Sequence, residues 1–567
     1  MLQLKHLVTL IVCASFALRT DADDAACTEL NKFTDAELAS YAFKVGDDNA
    51  AMQQLATDRV YVTGDVRIVM QPIFNPLDPE ENGVLHRWAN RLHTETRPEV
   101  IQEVILFRAG APVQRASLLE SERILRTQSY IFDARVFPRR LCGDRLDVDV
   151  VVREVWTLYP SVDFSRSGGE NSVKYGLVDT NLFGTGRTLS VFYAKDEDRD
   201  GKGIFYSNPN IGGSRVQFEA LVEDNSDGER LVLELGQPWY GLDVRRALES
   251  RFEDSDAEQG LYQFGDKVSE FRDKLLRFDL NGGVSDGAHE GQTWRWLAGY
   301  AYEEHKFSPV PGSVPPNPFP PDRTLGYPWI GFASIEDRFD KSVNVDRIYR
   351  TEDIDLGRQY ATRLGWSDSA FGGDSQSRIV FVGDYRDGLR SGDQRLLFYG
   401  TNLRGYWNLD LDETEQVWAR AYATFRQRRA GRFSLAGTLQ GVMTHNLPPD
   451  EQLLGGGDTG LRGYPSRYQS GDRSFLFSLE ERYFSDIYIA RIVRLGFAAF
   501  FDAGRTWFSD DPDNHGYGVL ADVGFGLRFE STRTRQDRVL HIDFAFPLVD
   551  GPDVDSIQVL LEIKDRF

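Results

Sequence analysis

The sequence predicts a mainly β protein whose C-terminal part is an antiparallel transmembrane barrel, preceded by a small α+β unit. Three observations predict it. Segments of roughly ten residues with apolar side chains at every second position recur from Tyr159 onward, as in strands that face lipid on one side. Beyond the N-terminal apolar run no stretch holds about 18 consecutive apolar residues, which excludes a helical membrane protein. Aromatic residues make up 12% of the chain and glycines number 52, a composition suited to strands and turns.

The chain begins with Lys5 and an apolar run from Leu7 to Leu18, followed by small and polar residues. That is the pattern of a secretory leader, too short to span a membrane. Residues 1–22 are assigned to it, and cleavage after Ala17, Ala22 or Ala26 fits. Cys13 lies inside the apolar run and is expected to leave with it. Cys27 and Cys142 then remain in an exported chain, where they are either joined or free. The net charge of −22, with 87 acidic against 65 basic residues, argues against a nucleic-acid partner. Residues 23–59 are polar with scattered alanines and carry no recognisable chemistry.

A compact α/β unit is expected over 60–157. Val66 to Met70 reads as a strand. Asp78-Pro79-Glu80-Glu81 reads as a helix start, with an acidic cap and proline at the first helical position. Leu85, Trp88, Ala89 and Leu92 follow at helical spacing and form one apolar face. Glu103 to Phe107 reads as a strand and Leu118 to Leu125 as a second helix. Tyr130 to Phe137 and Leu146 to Val155 close the unit as strands, the second with valines alternating against charged residues.

Residues 158–567 are strand and turn. Early strands are read at 161–165, 173–179, 188–194, 215–222 and 231–235, and later ones at 294–302, 379–384, 395–407, 417–426 and 433–439. The prolines between Pro309 and Pro321 are too dense for a central strand and mark an exposed loop. Counted alone, the strands number about 16 to 19. The most informative stretch is Leu453 to Phe484. Three glycines, Gly455 to Gly457, lead to Leu461-Arg462-Gly463-Tyr464. A strand follows in which Phe475, Phe477, Leu479 and Tyr483 alternate with Leu476, Ser478, Glu480 and Arg482. The next strand, read at 495–505, carries Asp502 and Gly504. An arginine on a loop folded into a confined space needs a carboxylate partner, and Glu480 and Asp502 have the right parity. Three further alternating strands run from Tyr517, Leu540 and Ile557 to the terminal Phe567.

The Leu-Arg-Gly-Tyr loop, the Ser-Leu-Glu strand, the Phe-x-Asp-x-Gly strand (Phe500, Asp502, Gly504) and the terminal Phe567 together resemble the BamA/TamA-type outer-membrane assembly and secretion superfamily. The resemblance implies a barrel of sixteen strands. It also implies an arginine loop tucked into the lumen and clamped through Arg462, Gly463, Tyr464, Glu480, Asp502 and Gly504, with Phe567 as the C-terminal insertion signal. The unit over 60–157 resembles a single periplasmic POTRA domain, which offers a sheet edge to passing chains.

What the resemblance implies for function is an outer-membrane protein that captures unfolded outer-membrane or secreted clients and inserts or exports them. Outer-membrane lipid is the surrounding partner, and there is room for periplasmic accessory proteins. The rival expectations are a dedicated secretion pore for one passenger and a passive porin or structural barrel. No catalytic pattern is seen: the eight histidines form no His-x-His or His-Glu-x-x-His spacing, and no nucleophile elbow or phosphate-binding loop occurs. Neither a cofactor nor an enzymatic activity is expected.

Overall fold

The structure, a computed structural model, describes residues 27–43, 49–429, 431–510, 518–534 and 538–564. The leader and Phe567 lie outside the described residues. The N-terminal unit is a five-stranded sheet: β1 (Thr28–Glu29), β2 (Tyr61–Gln71), β3 (Pro112–Val113), β4 (Ile131–Cys142) and β5 (Arg145–Glu154). Its order is β1-β4-β5-β2-β3. β2 and β5 run parallel, and their pairing shifts register between Thr63 and Val66. Val148, Val150 and Val152 of β5 are completely buried, as are Leu118 and Leu125 of the helix Arg115–Thr127. Burying each such side chain contributes about 1.5–3 kcal/mol.

The helices are α1 (Asp35–Ala39), α2 (Ala50–Gln53), α3 (Val84–Leu92), α4 (Pro98–Val104) and α5 (Arg115–Thr127). Two of the sequence expectations need correction. The segment 78–82 is a turn, and α3 starts only after Gly83. The Glu81 carboxylate is drawn away to Asn75 N (2.8 Å), Arg153 (3.1 Å) and Arg533, which holds this segment out of the helix. Glu103, expected in a strand, is helical instead. Pro98 opens α4 at its first turn, where a missing N–H costs nothing, and Ile101 is fully buried on its inner face.

Cys27 and Cys142 are joined, closing a loop with a sequence separation of 115. A loop of that length removes about 4–5 kcal/mol of chain entropy from the unfolded state. Reduction should therefore lower the melting temperature of the N-terminal unit, read by circular dichroism with and without dithiothreitol. An unchanged melt would show that β1 adds nothing to that unit.

The wall of the barrel starts with β6 (Leu158–Ser167), β7 (Glu170–Asp179), β8 (Thr188–Lys195), β9 (Asp200–Asn208) and β10 (Gln217–Asn225). It continues as β11 (Gly228–Gln237), β12 (Arg246–Gln263), β13 (Asp266–His289), β14 (Gln292–Pro309) and β15 (Arg323–Glu336). A hairpin, β16 (Phe339–Ser342) and β17 (Glu352–Asp355), interrupts it. The wall resumes with β18 (Gln359–Ser367), β19 (Arg378–Ser391), β20 (Arg395–Asn408), β21 (Glu413–Arg428) and β22 (Phe433–His445). A second small pair, β23 (Leu453–Gly455) and β24 (Gln469–Gly471), lies within the arginine loop. The last strands are β25 (Arg473–Ile489), β26 (Val493–Trp507), β27 (Leu520–Ser531), β28 (Val539–Pro547) and β29 (Gln558–Lys564).

Among the described residues these form a closed antiparallel barrel of 20 strands, where sixteen were expected. The difference lies mainly in β9, β12, β13, β15 and β18, which the sequence reading passed over. Charged residues crowd β12 and β13 on both faces (Arg246, Glu249, Arg251, Glu253 and Asp254 in β12 alone), so the alternation that marks a half-buried strand disappears. Elsewhere the period holds. Val162, Leu177, Val191, Trp296, Ile330 and Leu364 are all more than half exposed on the outer face, the surface a bilayer would cover. Because the strands alternate in direction, the turns after β7, β9 and β11, the hairpin β16–β17 and the β25–β26 turn all lie at the end beside the N-terminal unit. This is the near end of the barrel, and the opposite one the far end.

Candidate functional site

The arginine loop, 446–472, joins β22 to β25 at the far end and folds back into the lumen. Arg462 is the residue it delivers there. Its Nε and Nη2 donate to the two oxygens of Asp502 at 2.7 and 3.1 Å, the bidentate geometry for which guanidinium is suited. Nη1 donates to Glu480 at 3.1 Å and to Asp543 at 3.4 Å. The guanidinium carbon sits 3.3 Å from the centre of the Phe500 ring. Arg462 and Glu480 are buried and Asp502 is inaccessible, so each charge depends on the others for compensation. Ser478 adds a hydrogen bond to Asp502 at 2.6 Å.

The neighbouring predicted residues set how close the loop can come. A Cβ on Gly463 would stand 2.6 Å from Cβ of Asp522, and one on Gly504 would stand 2.7 Å from the Phe475 carbonyl and 3.3 Å from Leu461. Both glycines are therefore needed for the loop to lie flat on the wall. Tyr464 is fully buried, and its hydroxyl donates to Ala521 O at 2.8 Å and Val549 O at 3.2 Å. The structure thus brings Arg462, Glu480 and Asp502 together, with Gly463, Tyr464 and Gly504 around them.

The sequence reading missed four members of the same network. Arg528 donates to Glu480 at 3.1 Å and pairs with Asp543. Arg482 donates to the second oxygen of Glu480 at 2.8 Å and to Asp346 at 2.9 Å. The inward parity of Arg482, Arg528 and Asp543 on their strands was a signal that could have found them. Asp346 carried no such signal, because it lies in an aperiodic connection.

That connection, 337–358, enters the lumen from the near end. Asp346 accepts from Arg426 of β21 at 3.0 Å as well as from Arg482. Ile348 is buried against Phe484 and Ala498, and its N–H donates to Glu530 at 2.6 Å. On its other side the N-terminal unit grips the same segment. Arg126 of α5 holds Asp353 with two bonds of 2.6 Å, and Arg123 meets Asp337 at 2.9 Å. Thr351 donates to Asp133 at 2.8 Å, and Lys341 pairs with Glu122. Burial alone would raise Glu122, but the cations of Arg126, Lys341 and Arg135 outweigh it and hold the carboxyl at about 2.

Ion pairs therefore tie α5 to Asp353 in the 337–358 segment and tie Asp346 of the same segment to Arg482, Glu480 and Arg462, with the segment's own backbone joining the two sets. Together they link the N-terminal unit to a loop entering from the far end. A lumen space of ≈ 720 Å³ remains between the hairpin and the wall of β19–β21, lined by residues such as Arg350, Arg386 and Arg420. Among the described residues no group of histidine, cysteine or acidic side chains could hold a metal ion.

The Omp85 superfamily domain matches residues 181–562. Among solved structures, the chain is similar to CdiB from Acinetobacter baumannii at 12% identity, covering 89% of this chain and 74% of that one, with a TM-score of 0.42. BamA from Haemophilus ducreyi lacking POTRA domains 1–3 matches at 12% identity, 89% and 84% coverage and a TM-score of 0.37. CdiB from Escherichia coli matches at 12% identity, 93% and 97% coverage and a TM-score of 0.38. No curated protein sequence matches the chain.

Proposed function

Since this chain belongs to the Omp85 superfamily, we propose that it handles unfolded polypeptide clients at the outer membrane, inserting them or passing them across. Barrels of this superfamily are outer-membrane proteins, and the N-terminal unit is read as a POTRA-like domain on the periplasmic side. The observation that carries the proposal is the closing seam. Where β28 and β29 pair continuously from Val539–Lys564 to Ala545–Gln558, β29 and β6 share one registered pair among the described residues, Leu561 with Arg166. Each missing ladder bond lowers the free energy needed to part the strands there, because an opened pair can re-form its bonds with a client strand.

Capture would begin at the N-terminal sheet. β3 pairs with β2 only at Tyr61 and Val62, so Val66 to Gln71 has a strand partner on one side alone among the described residues. An extended client could add there through main-chain bonds, without demands on its sequence. The lumen argues against a passive pore, since the arginine loop and the hairpin both occupy it.

The test is depletion of the protein in its host, followed by quantitative comparison of outer-membrane and secreted proteins. Complementation would use wild type and an L561C/R166C pair locked across the seam. Loss of many unrelated barrels would assign insertion, and loss of one exported protein a dedicated pore. The locked pair should fail to rescue until it is reduced. Unchanged fractions would sink the proposal and leave a structural barrel.

A further inference from the structure

Helix α3 is turned inside out. Asn90 bonds both backbone groups of Phe74, at 2.8 and 3.0 Å, and His86 stacks on the Phe74 ring at 4.4 Å. His93, just past the helix, reaches Glu154 at 3.1 Å. The side against the protein is thus polar. The other side carries Val84, Leu85, Trp88 and Leu92, which at helical spacing form one continuous arc. Leu85 is 82% exposed, and Trp88 and Leu92 are each 63% exposed. Arg87 and Arg91, both exposed, border the arc along one edge. The apolar face read from the sequence is real, but it points away from the domain core.

Its place in the fold says what covers it. At its start, His86 Nε2 lies 3.3 Å from Ala490 O in the β25–β26 turn, and Glu80 pairs with Arg491. Beyond its end, Thr96 accepts from Asn181 at 2.8 Å and Arg97 N–H donates to Gly184 O at 3.0 Å, both in the β7–β8 turn. The helix is therefore strung along the near end between turns that flank the seam. The end of β25 exposes Ile487 and Ile489, its turn into β26 exposes Ile492, and the β7–β8 turn exposes Phe183. These apolar side chains lie at the same end of the wall as the helix.

We propose that α3 lies in the membrane interface at the near end of the barrel. Its Leu85–Trp88–Leu92 arc sits among acyl chains and Arg87 and Arg91 sit at the phosphates. The inference rests on the reading of the barrel as membrane-spanning. A lipid surface fits better than a polypeptide client, because Trp88 and Leu92 stand on a convex helix side, and the open recess beside Val84 and Leu85 is bordered by Asp486 and Arg491 rather than by an apolar wall. Tryptophan, leucine and arginine on neighbouring faces also match the chemistry of interfacial helices. The consequence is that the N-terminal unit is anchored to the bilayer at the mouth of the seam.

The test uses full-length protein in a Cys13→Ser background, with Cys27 and Cys142 left joined. Single cysteines L85C, A109C and V191C are labelled with an environment-sensitive fluorophore and reconstituted into phospholipid vesicles containing acyl-brominated lipid. Ala109 is exposed in a loop of the N-terminal unit and Val191 is on the outer wall. The expected result is quenching at Leu85 comparable with that at Val191 and several-fold above that at Ala109. Quenching at Val191 but not Leu85 would overturn this inference alone. Absence of quenching at Val191 would overturn the membrane reading itself. Shielding of Leu85 only on adding an unfolded polypeptide, or only with energy transfer between copies, would assign the face to a client or to a second copy instead, and would also overturn it.

Discussion

Replacing Arg462 by alanine should cost about 3–5 kcal/mol, because it leaves buried carboxylates facing one another without their principal cation. Asp502 would keep the Ser478 hydroxyl, at 2.6 Å, but no ion pair among the described residues, while Glu480 and Asp543 would still share Arg528. The largest loss therefore falls at Asp502, and the loop that delivered the arginine should leave the lumen. Two measurements check this: the melting temperature in detergent, and cleavage of the 446–472 loop by added protease on intact cells. R462K should fall between the two states, since a lysine keeps the charge but loses the bidentate contact. Wild-type melting and protease resistance in R462A would remove the clamp from the mechanism.

The sequence made the walls of this site legible but not its floor. Strict alternation over Phe475–Tyr483 placed Glu480 inward and the next strand did the same for Asp502, so parity made both candidates and the motif resemblance singled them out as partners of Arg462. Arg528 and Asp543 had the same parity, yet nothing in a one-dimensional pattern says which inward residues meet across a lumen. The hairpin 337–358 was invisible for a different reason. It is held by ion pairs to α5, β21 and β25 rather than by a periodic apolar face, and such contacts leave no spacing to detect. The same cause hid β12 and β13, whose charged residues on both faces erased the period that marked their neighbours. With α3 the period was right but carried no direction. An amphipathic pattern fixes that one face is apolar, not what solvent that face meets.

The hairpin is where the second large effect is expected. A barrel of 16 to 18 strands already leaves an aqueous channel when nothing fills it, and this barrel counts 20 among the described residues. Replacing Phe339–Asp355 by a short glycine-serine linker should therefore open a steady conductance in planar bilayers that wild type lacks. It should also loosen α5, whose Arg126 loses Asp353 and whose Arg123 loses the Phe339 ring while keeping Asp337. A milder change separates plugging from coupling. D346A removes the acceptor shared by Arg426 and Arg482 while leaving the hairpin in place. Because Arg482 and Arg462 both bond Glu480, D346A and R462A should not add. A coupling of about 0.5–3 kcal/mol between them in a double-mutant cycle is the expected result. Strict additivity would mean that the near-end hairpin and the far-end loop are independent plugs. In that case client capture at the N-terminal unit has no ionic route to the loop, and gating must act through the seam alone.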